Sequence, residues 1–303
     1  MSSLGDKLFP LLITLAVVTP ASAKPLRVSW TPHSIASGSP CLFQVKSARP
    51  LASLRGTWQG REIVFFLANH VWYGLGGVDL EAKPGGYKLE LDATLAGGKQ
   101  VRAQRTVRVN PARYKTEALT VPLRFVEPDA AALRVIAADR KLKDAAFSHE
   151  TTEPEWSGSF IPPIDSTVSE GFGTRRTFNG KLASIHRGLD YHAKPGTLVV
   201  ASNSGQVVLA RELYYEGNCV FIDHGQGFMT IYMHLSRIEV HEGEKVKKGQ
   251  EIGLSGATGR ATGPHLHISV RWQGAYLDPA QLWTLRLPNL QPAPAAQIRA
   301  EKR

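Results

Sequence analysis

Short apolar runs separated by turn-forming residues fill the first third of the chain. Between residues 25 and 109 these runs include LRVSW, CLFQVKSA, REIVFFL, VWYGLGGVDL and VRAQRTVRV. Runs of this length, bounded by Gly, Pro, Asn or Asp, are typical of β-strands joined by tight turns. About seven strands at this spacing predict a small antiparallel sandwich, which we assign to residues 24–113.

The pattern becomes helical in the segment that follows. After Pro128 and Asp129, the stretch AALRVIAADRKLKDAAF predicts a helix within a connector over residues 114–159. Its larger apolar residues are spaced loosely like one helical face: Leu133, Ile136, Leu142 and Phe147. We therefore predict that this helix docks between two domains.

Strand-like runs return over residues 160–283, now with dense glycine. Segments such as PGTLVVASNSGQVVLARE and GNCVFIDHGQGFMTIYMHL are typical of a sheet that folds sharply on itself with tight turns. Residues 284–303 are predicted to be a flexible tail. The predicted class is all-β: an N-terminal immunoglobulin-like sandwich, a helical connector and a C-terminal glycine-rich antiparallel domain resembling a barrel-sandwich hybrid.

The first residues have the pattern of a secretory signal peptide. Lys7 precedes an apolar run over residues 8–18, which is too short to span a bilayer comfortably. Ala21 and Ala23 then form an A-x-A cleavage pattern, so residues 1–23 are predicted to be removed. We expect an exported chain, periplasmic or secreted and associated with the cell wall, without a transmembrane segment after cleavage. An uncleaved anchor is the alternative.

Charge and cysteine content bear on the partner and the compartment. The formal net charge of +10 attracts polyanions over long range. Lys and Arg are scattered and no known nucleic-acid module is present, so we expect no nucleic acid as partner. A cell-wall polymer or membrane surface suits the charge of an exported chain better. Cys41 and Cys219 permit one disulfide but fit two buried free thiols equally well.

Histidine and aspartate residues of the C-terminal half carry the candidate chemistry. His265 and His267 stand two apart in the strand-like segment PHLHISV, so both imidazoles would emerge on one face. In HRGLD, Gly188 gives the chain freedom to turn, so that His186 and Asp190 can converge. Two neutral imidazoles and one carboxylate form a ligand set that zinc accepts, with the fourth position left for water.

Each motif alone is weak, because a lone histidine is more often structural than a ligand. Their combination in one glycine-rich β domain, with His234 in YMHLS between them, is much stronger. These residues resemble the lysostaphin-type zinc peptidases, whose hallmarks are an HxxxD segment, a central histidine before Leu-Ser and a downstream HLH. Here the three read HRGLD, YMHLS and GPHLH, and the resemblance covers roughly residues 160–283.

The resemblance implies one zinc ion per chain and a role for each of five residues. His186, Asp190 and His267 would be the zinc ligands. His265 and His234 would be the catalytic pair, in which His265 takes a proton from water and His234 hydrogen-bonds the developing oxyanion. The implied activity is that of a zinc metalloendopeptidase acting on peptide cross-links or stem peptides of peptidoglycan, with a direct D,D-type cross-link preferred. Oligomeric state stays open.

Five further residues are predicted at a substrate groove. Arg175, Arg176 and Asn179 lie in a polar loop before the first ligand that is placed to line such a groove, and Thr262 and Gly263 resemble the groove wall of the family. A solvated loop is the alternative for all five.

Two other histidines have mainly structural interpretations. His192 follows Asp190 by two and is the best substitute ligand, although packing or support of a ligand is the stronger alternative. His224 in IDHGQG is predicted to brace a hairpin turn.

Three other functions fit parts of the sequence. A peptidoglycan-binding or amidase-activating module without hydrolytic activity could retain the fold, although no motif residue is substituted here. The sandwich could carry the main function by binding a polymer or partner protein through Trp58, Trp72 and Tyr73, although aromatic residues of this kind are more often in the core. The VKKG segment also suggests a lipoyl or biotinyl carrier, but such carriers need no histidine constellation.

Overall fold

The computed structural model describes residues 26–119, 128–149, 151–178 and 181–289, and it confirms the predicted all-β class. The predicted signal peptide and most of the predicted tail lie outside these residues. Within them, no helix combines the length and the apolar character needed to cross a membrane. The domain boundaries expected from the sequence stay predictions.

The first sheet contains eight strands in the order β1-β3-β6-β5-β4-β7-β8-β2. The strand bounds are β1 Leu26–Thr31, β2 Ile35–Ala36, β3 Pro40–Ser47, β4 Leu51–Trp58, β5 Arg61–Ala68, β6 Val71–Gly77, β7 Gly85–Leu95 and β8 Gln100–Asn110. Strand β5 joins two halves of this sheet, because residues 61–64 pair with β4 whereas residues 65–68 pair with β6.

The first sheet folds over at β5, so that its two halves enclose a core. The rings of Phe43 on β3 and Trp58 on β4 lie 5.4 Å apart, although these strands are not neighbours in the sheet. On β7, Leu89 and Leu91 are buried while Glu90 between them is exposed. This period of two follows from strand geometry and agrees with the antiparallel sandwich predicted from the sequence.

Thirteen strands and two helices follow in the described part of the chain. Their bounds are β9 Thr116–Leu119, α1 Ala130–Phe147, β10 Val168–Glu170, β11 Arg175–Phe178, β12 Lys181–Ile185, β13 Leu189–His192, β14 Leu198–Val200, β15 Gly205–Leu213, β16 Gly217–Asp223, β17 Phe228–Ile238, β18 Lys245–Val246, β19 Glu251–Ser255, β20 His265–Trp272, β21 Ala275–Leu277 and α2 Pro279–Thr284. Ten strands form one sheet with the order β10-β13-β20-β17-β16-β15-β18, alongside which β14 pairs with β19, β19 with β17 and β21 with β20.

A third, three-stranded sheet has the order β12-β11-β9. The segment that the sequence suggested as a polar loop before the first ligand is the antiparallel pair of β11 and β12. Strand β9, from the predicted connector, pairs in parallel with β11. The connector therefore supplies a strand to the sheet that borders the candidate site.

The two large sheets share one hydrophobic core. Trp272 and Leu277, on β20 and β21, are fully buried and belong to the same cluster as the core of the first sheet. A Cβ on Gly77 of β6 would lie 2.4 Å from the Leu277 side chain, so this contact requires glycine. Arg61 Nε also donates to Gln273 O at 2.9 Å. Burial of large apolar side chains is the main stabilising contribution to such an interface.

Helix α1 is present where the sequence predicts it, and the Asp129 side chain caps its first turn. The predicted helical face is only partly right, because Leu142 and Phe147 pack against the second sheet whereas Leu133 is 54% exposed. Phe147 stacks on Phe221 of β16 with ring centroids 5.7 Å apart. The helix thus docks on the second sheet through its C-terminal half, while Leu133 and Val135 of its N-terminal half stay exposed.

Both cysteines are free and buried. Cys41 lies on β3 and Cys219 on β16, in different sheets. Burial raises the pKa of each thiol. Of the two sequence alternatives, the structure therefore has the pair of buried thiols.

Candidate active site

Strands β13 and β20 bring the HRGLD and HLH motifs together. They pair antiparallel, with Asp190 opposite His267 and His192 opposite His265. Side chains two residues apart share a face of a strand, and these four residues all line the same cavity. The common face expected for His265 and His267 is confirmed.

Three atoms that could bind a metal ion, one from each of three residues in these motifs, converge. His186 Nε2 lies 3.0 Å from Asp190 Oδ1 and 3.0 Å from His267 Nδ1, and His267 Nδ1 lies 2.7 Å from Asp190 Oδ1. All three residues are buried. Among the residues that the structure describes, they are the one group of His, Cys, Asp or Glu side chains arranged to hold a metal ion.

Gly188 allows the HRGLD segment to pass directly over β20. A Cβ at this position would lie 2.3 Å from Ile268 O and 2.5 Å from His267 Nε2, closer than real Cβ contacts. The sequence suggested glycine here for its freedom to turn. The structure shows that the requirement is space, because any side chain would displace the His267 ring or the β20 backbone.

The second nitrogen of each converging imidazole has a hydrogen-bond partner. His186 Nδ1 lies 2.9 Å from Gly171 O, so this nitrogen donates to the carbonyl. His267 Nε2 lies 2.8 Å from Ser269 Oγ, which accepts from Nε2 in the tautomer that leaves Nδ1 unprotonated. Both rings can therefore direct an unprotonated nitrogen at the same point. Such partners are typical of metal-ligating histidines, so these residues fit a divalent ion such as zinc.

The surroundings keep Asp190 ionised. Burial alone would raise its pKa, but without a metal ion His186 Nε2 and His267 Nδ1 can instead be protonated and donate to Asp190 Oδ1, and these hydrogen bonds hold the pKa well below its usual range. Burial lowers the pKa of His267, which favours the neutral imidazole. A carboxylate beside neutral imidazoles is the protonation state that binding of a divalent metal requires.

His265 lies at the edge of this group. Its Nδ1 donates to Gly263 O at 2.8 Å, so Nε2 is an acceptor in the neutral ring. That Nε2 lies 3.9 Å from Asp190 Oδ1. The His265 side chain is 16% exposed, compared with 1% for His186 and 10% for His267. It is therefore the most accessible of these three imidazoles.

A β-bulge directs His234 into the same site. Its backbone φ of 64° lies in the left-handed region, and β17 holds an extra residue there relative to β16. The ring centroid lies 4.7 Å from that of His265, and Nδ1 donates to Thr258 O at 2.9 Å. Burial, followed by repulsion from His265 and His267, lowers the pKa of His234 to about 3. Backbone strain and bulges of this kind are common at functional sites.

An open cavity of about 330 Å³ lies beside these side chains. Thr262 and Gly263, which the sequence predicts as substrate contacts, line this cavity. Arg175 does not, whereas its neighbour Arg176 does. This difference follows from the strand, because adjacent side chains of β11 point to opposite faces. Asn179 lies outside the described residues.

Besides Arg176, three charged residues that the sequence analysis did not select line the cavity: Glu117, Glu170 and Arg260. Glu117 lies beside Arg176 in the register of β9 and β11. The Arg260 guanidinium lies 4.4 Å from the ring centroid of Tyr215. None of these positions belongs to a motif, so only the folded strands and loops bring them to the site.

The remaining two histidines differ in role. His192 is exposed at the edge of the cavity and does not belong to the converging group. His224 is fully buried, with Nδ1 2.7 Å from Ser204 O and Nε2 2.7 Å from Thr230 Oγ1. Its backbone nitrogen also bonds Phe228 O across the turn between β16 and β17. The predicted bracing role of His224 is confirmed.

Comparison with known proteins identifies relatives of the C-terminal part. The profile of peptidase family M23 matches residues 184–279. Peptidoglycan DD-endopeptidase ShyA of Vibrio cholerae is 47% identical over 115 residues, which are 37% of this chain and 27% of ShyA. DD-carboxypeptidase/endopeptidase Mpg of Neisseria meningitidis is 38% identical over 149 residues, which are 49% of this chain and 34% of Mpg. The chain thus spans only about a third of these relatives' length or less.

A solved structure extends the likeness to more of the chain. It is a crystal structure from Pseudomonas aeruginosa described as a candidate peptidase M23, with a TM-score of 0.62 and 28% identity. The match covers 82% of this chain and 94% of that one, so it includes strands of the first sheet. The matched family region contains the five candidate site residues of the HRGLD, YMHLS and GPHLH motifs: His186, Asp190, His234, His265 and His267. Residues 184–279 thus match peptidase family M23, the lysostaphin-like family that the motifs of this chain resemble.

Proposed function

We propose that this chain is an exported zinc metalloendopeptidase that hydrolyses peptide cross-links of bacterial peptidoglycan. The observation that carries the proposal is the convergence of His186 Nε2, Asp190 Oδ1 and His267 Nδ1 within 3.0 Å of one another. Two further imidazoles, His234 and His265, lie beside this group at an open cavity. Three ligands with an open side are typical of catalytic rather than structural zinc.

The three converging residues would hold the ion, and the cavity would admit the peptide. When bound there, zinc would lower the pKa of a coordinated water to about 7 and polarise the scissile carbonyl. Nitrogen and carboxylate oxygen donors suit zinc better than calcium or magnesium, which prefer oxygen ligands.

His265 is suited to take the proton from the attacking water. Its hydrogen bond to Gly263 O fixes the tautomer in which Nε2 is the acceptor. This Nε2 faces the metal ligands, 3.9 Å from Asp190 Oδ1. A general base must lie within hydrogen-bond reach of the proton that it removes, and a water next to the three ligands would satisfy that condition.

His234 is suited to stabilise the oxyanion that develops on the scissile carbonyl when its own ring is protonated. Since Nδ1 already donates to Thr258 O, the neutral ring offers only an acceptor at Nε2. Donation to an oxyanion therefore requires the imidazolium form, which burial disfavours in the metal-free site, where the pKa is about 3. The proton would have to pass from His265, whose ring lies 4.7 Å away, as negative charge develops on the carbonyl and raises the pKa of His234. Hydrogen-bond donors aimed at developing charge act mainly on kcat.

The substrate proposal rests on relatives and on charge. ShyA is named a peptidoglycan DD-endopeptidase and Mpg a DD-carboxypeptidase/endopeptidase. By extension, we propose a direct D,D-type cross-link as the bond cleaved here. The net charge of +10 would favour association with an anionic cell wall. The sequence pattern of residues 1–23 supports export.

Digestion of purified Gram-negative sacculi tests this function. The protein is incubated with sacculi as purified, after chelation, and after chelation with zinc restored, and the released muropeptides are analysed by mass spectrometry. We expect cross-linked dimers to fall and monomers to rise, with activity lost on chelation and recovered with zinc. Zinc-loaded protein that binds sacculi but leaves cross-linking unchanged would instead support a binding or activating module.

A further inference from the structure

Arg176 of β11 links two carboxylates beside the candidate metal site. Its Nε donates to Glu170 Oε1 at 2.8 Å and its Nη2 to Glu170 Oε2 at 2.5 Å. The same Nη2 donates to Asp190 Oδ2 at 2.8 Å. The side chains of Arg176, Glu170 and Asp190 are 19%, 14% and 9% exposed, so little water competes for these bonds.

The two oxygens of Asp190 have separate partners. Oδ1 faces His186 Nε2 and His267 Nδ1, while Oδ2 accepts from Arg176. A guanidinium is planar and presents its donors in a fixed fork. Because Glu170 engages both Nε and Nη2, the orientation of this plane is set before Asp190 is reached. The second Nη2 hydrogen can then point only at Oδ2.

We propose that Arg176 and Glu170 are positioning residues that restrict Asp190 to one-oxygen ligation of the metal. This inference rests on the proposed function, since it assumes that the three converging residues bind zinc. Oδ2 is held by the guanidinium, so only Oδ1 is available to the ion. Without Arg176, the carboxylate could rotate and offer both oxygens, and its negative charge would lie near Glu170 without a cation between them.

The proposed role of Arg176 depends on the shape of its guanidinium as well as on its charge. A lysine at position 176 would keep the positive charge, but a single ammonium on a flexible stem cannot reproduce the two parallel bonds to Glu170 together with the bond to Asp190. The charge-conserving substitution Arg176→Lys should therefore weaken zinc binding, as Arg176→Gln does. Partners that orient metal ligands typically contribute about 10- to 100-fold to metal affinity.

A second arginine in the chain provides a matched control. Arg211 binds Glu242 through Nε and Nη2 at 2.8 and 2.7 Å, so it has the same paired geometry. Neither of these residues lines the cavity beside the metal ligands. Arg211→Gln therefore removes an ion pair of the same geometry, at a more exposed position, without touching Asp190.

The test measures zinc affinity by competition with a chromophoric chelator, and the visible absorption of the cobalt-substituted protein. Wild type, Arg176→Gln, Arg176→Lys, Glu170→Gln and Arg211→Gln are compared. We expect zinc affinity about 10- to 100-fold weaker in the three site variants, with a cobalt spectrum changed in shape and intensity because the ligand number changes. Arg211→Gln should match wild type in both measurements.

The outcomes separate this inference from the proposed function. If wild type binds zinc and both Arg176→Gln and Glu170→Gln keep its affinity and its cobalt spectrum, the positioning role is wrong while the zinc site stands. If wild type itself takes up no zinc, the proposed function is wrong and the inference fails with it. Should Arg176→Gln not fold, the nearly isosteric Glu170→Gln decides the matter, since it loosens the guanidinium while keeping the side-chain volume.

Discussion

Asp190 and His267 face each other across paired strands, with His267 Nδ1 2.7 Å from Asp190 Oδ1. Their neighbours Leu189 and Ile268, which are opposite each other in the same register, are buried in the core of the second sheet. The relative position of these two ligands is therefore set by a strand pair and its core, not by a loop. This rigidity makes the site sensitive to any change that separates the strands.

We predict that Gly188→Ala damages the metal site. The added Cβ would contact Ile268 O and His267 Nε2 at less than 3 Å, so the His267 ring or β20 must move. Overpacking of this kind costs about 1–3 kcal/mol of stability, and zinc affinity should fall at least about tenfold. Chemical denaturation and chelator competition measure the two effects. Gly97→Ala, whose Cβ would meet nothing within 4 Å, should change neither.

The two candidate catalytic histidines should be separable from the ligands. We expect His265→Ala to keep zinc and to lower kcat by about 10²- to 10⁴-fold, because it removes the acceptor placed to take the proton. Steady-state kinetics on a purified cross-linked muropeptide, with zinc content determined in parallel, checks this. Loss of zinc together with activity would place His265 among the ligands.

For His234, the better substitution is Asn, because asparagine tolerates the left-handed backbone found there. His234→Asn should lower kcat by about 10²- to 10³-fold with little change in KM, as expected for a donor that acts on the transition state. A rise in KM at constant kcat would instead assign His234 to substrate binding.

Stability should fall in acid through His224. Burial lowers its pKa to about 4, whereas histidine in an unfolded chain titrates near 6.5. Between these values the unfolded state binds the extra proton, so the stabilisation is complete above about pH 6.5 and is lost as pH falls towards 4. The full loss corresponds to about 3 kcal/mol in the free energy of unfolding.

Urea denaturation of the metal-free protein between pH 7.5 and 4 measures this dependence. His224→Gln should be less stable than wild type at pH 7.5, and the gap should narrow as the pH falls. A gap that stays constant with pH would show that His224 has the same pKa in the folded and unfolded states. His241→Gln, at a side chain that is 83% exposed, serves as control and should follow the wild-type curve.

The shared core predicts that the two large sheets depend on each other. Leu277 is fully buried in the cluster that contains the first sheet. Leu277→Ala should cost about 2–5 kcal/mol, as for other buried leucines, whereas Leu198→Ala, at a residue 49% exposed, should cost far less. Urea denaturation followed by tryptophan fluorescence measures both. Equal effects of the two substitutions would contradict a shared core.

The ligand motifs could be predicted from sequence because they are local and periodic. His265 and His267 share a face through the period of two, and His186 and Asp190 are four residues apart in one turn. The β-rich class follows in the same way from alternating runs. The exposed Leu133 shows the limit, since helical spacing does not reveal which half of α1 meets the sheet.

The contacts of Arg176 with Glu170 and Asp190 could not be predicted in this way. They depend on β10, β11 and β13 meeting around Asp190, and nothing in the spacing of these residues marks that meeting. The Asn-Gly pair at residues 179–180 was an available signal for a hairpin. A strand predicted over residues 175–178 would have placed Arg175 and Arg176 on opposite faces of the sheet.

Zinc content of the purified protein tests the central claim most directly. Native mass spectrometry compares wild type, His267→Ala and His265→Ala after purification without chelators and addition of stoichiometric zinc. The account predicts about one zinc per chain in wild type and in His265→Ala, and loss of zinc in His267→Ala, because three-ligand sites rarely hold the metal with one ligand removed. A wild-type protein that takes up no zinc, or a His267→Ala variant that retains it as wild type does, would contradict the account.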